Sequence, residues 1–154
     1  MPEPTSRERK GRRPAKRVPG GLIEEPLRAR CDEPPPQELL HAIEEFERGE
    51  YFEQHETLET LWRGTRTPIR DLYHGILQIG VGLHHLRRGN FHGANVLLEE
   101  GIERLRPFAP SCQRVDVAAL IRDATRTRQR VIELGPGQLA RFDWSEPPRV
   151  RLLD

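Results

Sequence analysis

The sequence predicts an all-α fold: a single bundle of about five helices, largely antiparallel, with a disordered basic N-terminal arm and an irregular C-terminal tail. Three observations predict it. Apolar residues recur at helical spacing in five successive stretches between residues 34 and 135. Short runs of Gly, Pro, Asn or Thr separate these stretches, and short connections make neighbouring helices antiparallel. No stretch alternates apolar and polar residues with the period of a strand, and no segment repeats another. The expected layout is an arm over residues 1–33, a helical domain over 34–135 and a tail over 136–154.

Each element has a local reason. Pro34-Pro35-Pro36 sets up the first helix, since proline is tolerated in a first turn. Leu39, Leu40, Ile43 and Phe46 then share one face, and Gly49 stops the helix. The second helix, from about Glu50 to Arg63, gathers Tyr51, His55, Leu58 and Trp62 in one stripe. Thr67 and Pro68 are expected to cap and open a third helix that runs to Arg88 and closes at Gly89. That helix is apolar on nearly every side (Leu72, Tyr73, Ile76, Leu77, Ile79, Val81, Leu83, Leu86), which marks it as the central one. Its Gly75 and Gly82 lie on one stripe, where a neighbouring backbone could approach.

Asn90 caps a fourth helix whose Ala94, Leu97, Leu98, Gly101, Leu105 and Phe108 share a face, and Pro107 and Pro110 end it. Gly101 costs about 1 kcal/mol of helix propensity relative to Ala, so a packing need is expected there. Asp116 caps a fifth helix with Val117, Leu120, Ile121, Ala124 and Val131 turned inward, closed by Gly135-Pro136-Gly137. The tail carries Phe142 and Trp144 among prolines, two aromatics suited to docking on the bundle.

Charge is distributed unevenly. The chain is +1 overall, but residues 1–20 hold seven Lys/Arg against two Glu, so the remainder carries −4. Arg7, Arg9, Lys10, Arg12, Arg13, Lys16 and Arg17 could grip phosphates, although no aromatic residue interleaves them, and a solvated tail is the favoured reading of residues 7–17. Cys31 and Cys112 lie far apart in linker-like segments, and neither has a neighbour at metal-ligand spacing. With no apolar stretch after the basic N-terminus and no run long enough to span a membrane, a reduced, cytoplasmic protein is expected.

The chemistry centres on the second helix. His55 stands on its apolar stripe with Glu59 one turn on, within reach of its ring. His55-Glu56-x-x-Glu59 resembles the His-Glu-x-x-His pattern of zinc proteases, in which ligands at i and i+4 share a helix face. Here His55 and Glu59 would be the ligand pair, with a third ligand from His74, His84 or His85 on the third helix. Glu56, about 100° round the helix, would be a base only if that wall were open. The competing reading is a polar network that holds His55 between Glu59 and the third helix and fixes the helix pairing. The candidate cluster is Tyr51, His55, Glu56, Glu59, Trp62, Gln78, His84 and His85, with His55, Glu59 and His84 as the metal set. Ser6, Ser111 and Ser145 lack a strand–turn–helix elbow, and no glycine-rich loop follows a strand, so nucleophilic and nucleotide chemistry have no foothold.

The blocks Phe46-x-x-Gly49-x-Tyr51-x-x-x-His55-Glu56-x-x-Glu59-x-x-Trp62, Gly75-Ile76-Leu77-Gln78 with a following His, and Gly89-Asn90-x-x-Gly93-Ala94 together resemble an all-helical family called domain of unknown function 309. The resemblance covers roughly residues 37–108. It implies a small helical bundle without an assigned activity and makes Tyr51, His55, Glu56, Glu59, Trp62, Gln78, His84, Asn90 and Gly93 signature positions, with no catalytic role to carry over.

Two functions remain open on these grounds. The favoured one is a non-enzymatic structural or interaction module with a buried His/Glu network, self-associating or binding a protein partner. The alternative is a metal-binding protein or metal-dependent hydrolase that uses the His-Glu-x-x-Glu helix and a divalent cation.

Overall fold

The computed structural model describes residues 20–154. The arm's expected disorder over residues 1–19, and its phosphate-binding residues 7–17, lie outside the described residues. The described chain forms five α-helices: α1 (Gln37–Glu47), α2 (Tyr51–Gly64), α3 (Arg70–Arg87), α4 (Phe91–Leu105) and α5 (Val117–Leu134). Consecutive helices pack against one another from α1 to α4, and α5 packs on α4, so the expected all-α bundle is the fold. None of the described helices is long and apolar enough to cross a membrane.

The helix ends follow their punctuation. Gly49 and Gly89 both take φ near +75°, at 75° and 77°. Behind each, a backbone N–H reaches back into the last turn, Glu50 N–H to Glu45 O and Asn90 N–H to His85 O, both at 2.8 Å. Asn90 Oδ1 accepts from Gly93 N–H at 2.9 Å, and Asp116 Oδ1 accepts from Ala119 N–H at 3.0 Å. Helix α3 starts two residues later than its Thr67-Pro68 signal suggests. Residues 67–69 instead form a tight turn in which Arg70 N–H and Asp71 N–H bond to the carbonyls of Thr67 and Pro68.

Helix α3 is the central helix, with Leu72, Ile76, Ile79 and Leu83 essentially inaccessible. It meets α4 through glycine. A Cβ on Gly101 would lie 2.8 Å from Ile79 Cδ1 and 3.0 Å from the Gly75 carbonyl oxygen. The helices therefore pack backbone against side chain, and the propensity cost of Gly101 is offset by this close approach.

Three features were not legible beforehand. A two-residue hairpin pairs β1 (Ser111–Cys112) with β2 (Val115–Asp116) between α4 and α5. Its turn residues, Gln113 and Arg114, hold φ of 48° and 67° without glycine. Tertiary contacts secure them. Gln113 N–H donates to Cys31 O at 2.7 Å, and Gln113 Oε1 accepts from the buried Tyr73 hydroxyl at 2.8 Å. Burial pushes the Tyr73 phenol up to about 12.

The second feature corrects the expectation of two separate thiols. β1 carries Cys112 to Cys31, and the two form a disulfide across 81 residues of sequence. The third is residues 20–33, expected as part of the arm but bound to the bundle. Arg28 donates to the carbonyls of Pro107, Ala109 and Ser111, Ile23 N–H donates to Arg66 O, and Leu27 packs on the core.

The tail also docks. Trp144 lies edge-on to Phe142 at 4.8 Å and 6.3 Å from the Tyr51 ring. Glu47 accepts from the Arg149 side chain and from Val150 N–H, while the buried Asp123 accepts from Arg126 and Arg151.

Candidate functional site

The buried stripe of α2 is Tyr51, Gln54 and Leu58. It is rotated by about one residue from the stripe centred on His55, which places a glutamine where the histidine was expected. Gln54 is fully buried, and its Nε2 donates to the Ile76 carbonyl at 3.4 Å, while its Oε1 accepts no hydrogen bond. Gly80 of α3 makes the space, since a Cβ there would collide with the Gln54 amide. The His55 side chain is 35% exposed, and its Nε2 lies 3.7 Å from Glu59 Oε1, with Glu59 also 3.5 Å from Arg63. The His55–Glu59 pair is therefore a partly solvated i,i+4 contact and not the buried network expected. Pairs of this kind contribute a few tenths of a kcal/mol, about 0.3–0.5.

The other candidates divide among three places. Tyr51 belongs to the end of the bundle, packed edge-on to Phe46 at 5.4 Å with the Arg87 guanidinium over its ring at 4.7 Å. Burial raises its phenol pKa. On the outer face shared by α2 and α3, Phe52 lies between His55 and His84, 6.2 and 6.0 Å from their rings. Trp62 stacks on His74 at 4.6 Å and carries Arg70 over its own ring at 4.7 Å. Glu56 is exposed on the same helix.

Further round α3, one turn on from His74, Gln78 is buried and bridges to α4. It donates to Glu100 Oε1 at 3.1 Å and accepts from Arg104 Nε at 3.0 Å. His85 points the same way, towards the α3–α4 turn. Asn90 Oδ1 is already used by Gly93, so Asn90 Nδ2 donates to His85 Nδ1 at 3.1 Å, and the imidazole proton sits on Nε2. Burial, then His84 and Arg88, hold the His85 pKa below its ordinary value. The adjacent His84 and His85 thus turn to different neighbours, Phe52 of α2 and the α3–α4 turn, while their rings remain 6.2 Å apart.

Divided in this way, the histidines do not converge. Among the described residues no three His, Cys, Asp or Glu side chains stand together so as to hold a metal ion. The set His55, Glu59 and His84 is not a ligand cage. Clefts of about 450, 480 and 640 Å³ open at the tail (Glu47, Arg126, Arg149, Arg151), at the N-terminal strap (Leu22, Arg66, Arg70) and along α4 (Glu99, Glu100, Glu103). None of these three is lined by His55, His74, His84 or His85. Sequence reasoning missed Gln54, Arg70, Glu100 and Arg104. The available signal was that Tyr51, Gln54, Leu58 and Leu61 is as regular a helical stripe as the one built on His55.

The model of the family described as domain of unknown function (DUF309) matches residues 39–97, from α1 into α4. The resemblance seen in the sequence is borne out over that segment, and the family's description carries no activity. No curated protein and no solved structure matches the chain.

Proposed function

We propose that this chain is a non-enzymatic helical module that acts by contact, through the outer α2–α3 face, with a second copy or a protein partner. The observation that carries this reading is Phe52. It is 52% exposed on a helix whose neighbours on the same face are charged or imidazole side chains. Aromatic groups with a polar surround are the usual anchors of protein contacts. The interior amides of Gln54 and Gln78 have a separate task, since each joins α3 to one neighbour and sets the helix register.

A photo-reactive benzoylphenylalanine placed at Phe52 in the full chain, expressed in cells, is expected to give a discrete cross-linked product. The same group at the exposed Ile132 of α5 is expected to give none. Absence of a product from position 52 would overturn the reading. So would one equivalent of zinc, iron or manganese in the purified chain that is lost in His55→Ala.

A further inference from the structure

The contact reading leaves the occupant of the α2 face open, and the charges of that face select one. Along its outer side α2 exposes Phe52, Glu53, Glu56, Thr60 and Arg63, with the acids towards its N-terminus and the arginine at its C-terminus. Glu53 and Arg63 are ten residues apart, about 15 Å along the axis at 1.5 Å per residue. We infer that this face binds a second copy of the chain, α2 against α2, about a twofold axis crossing the helix near Thr57 and Leu58. This rests on the contact reading above and names its partner.

A twofold contact is self-complementary: whatever residue i meets, its mate meets residue i in return. With the axis at that point, Glu53 of each copy faces Arg63 of the second copy. Phe52 of each lies at the end that presents the exposed aliphatic stem of Arg63. Glu56 meets the neutral Thr60. The parallel arrangement instead sets Glu53 on Glu53 and Arg63 on Arg63, and like charges facing each other across an interface disfavour it. Within one copy Arg63 is only loosely engaged, 3.5 Å from Glu59 and 53% exposed, so it is available to a second carboxylate. An unrelated partner would have to supply both an acid and a base at that separation. A second copy carries them already.

The pairing yields a charge-swap test on surface residues whose exchange leaves the fold intact. Sedimentation velocity on the full chain should show a concentration-dependent dimer that weakens with added salt. Glu53→Arg alone sets two arginine pairs against each other, and Arg63→Glu alone sets two glutamate pairs. Each should raise the dissociation constant about tenfold or more. An equimolar mixture of the two single variants restores both pairs and should sediment as a heterodimer, as should the double variant with itself.

A dimer indifferent to both reversals, or a mixture that stays monomeric, would overturn the proposal. So would a wild-type chain that is monomeric at every concentration. In that last case a cross-link from position 52 to another protein would keep the contact reading alive. No cross-link at all would remove both.

Discussion

Helix α3 is flanked by two seams closed by different means. Towards α4 it meets small residues, with Gly101 so close to Gly75 that an added carbon would press on a backbone oxygen. Towards α2 it meets a buried amide, with Gln54 occupying the space left by Gly80. The first seam is shape complementarity between rigid parts. The second is a flexible side chain with one long hydrogen bond and one acceptor without a partner, so it joins the helices while keeping room to shift. A glycine is therefore worth as much as the stiffness of whatever lies opposite it.

The largest expected effect tests the rigid seam. Gly101→Ala should cost about 2 kcal/mol, overpacking outweighing the gain in helix propensity, read from a lowered urea midpoint at unchanged m value. Gly80→Ala should cost less, about 1 kcal/mol, because the obstructing atoms belong to a side chain that can move. In a Gln54→Ala background that cost should vanish or reverse, and a double-mutant cycle measures the coupling. If Gly80→Ala proved the more damaging and Gln54→Ala gave no relief, the contrast between the seams would be wrong.

The turn that joins α3 to α4 adds a pH dependence to the rigid seam. The folded pKa of His85 lies below the ordinary 6.5, so the unfolded chain takes up its proton first as the pH falls. Stability attached to this ring is complete above about pH 6.5 and declines below it, down to the folded pKa. Urea titrations of wild type and His85→Gln between pH 7.5 and 5, values chosen about that ordinary pKa, should show the steeper acid loss in wild type. The smallest effect is expected on the outer face. His55→Ala should change stability by less than about 0.5 kcal/mol, because its contact with Glu59 is partly solvated. A loss of several kcal/mol there would reinstate His55 as a structural centre.

The helices and their ends were legible because their signals are local. Gly49, Gly89, Asn90, Asp116 and Gly135 act through their own backbone or the next turn. The phase of α2 was not. A large Trp62 pulls the apparent apolar axis towards His55, whereas in the fold Leu61 and Trp62 are both half-buried and Gln54 takes the inward place. The hairpin escaped for a related reason. Gln and Arg carry no turn signature, and their left-handed backbone is held by residues far off in the chain, Gln113 by Tyr73 and Cys31 and Arg114 by Leu153. The pairing of Cys31 with Cys112 has no sequence signal at all, since it depends on where the strap and the hairpin come to rest. In the candidate site, His84 and Gln78 were readable as residues facing other helices, but which helix each one faced was decided by packing.

The disulfide has a mechanical consequence. It makes residues 31–112 a covalent ring that contains α1 to α4 and all of the segment 39–97. Tension carried along the covalent chain on either side of that ring passes through the two sulfurs and bypasses the backbone of the four helices. While the bond holds, the 81-residue separation between the cysteines, roughly 280 Å of extended chain, is withheld from stretching. Helix α5 and the tail lie outside the ring and would take the load first.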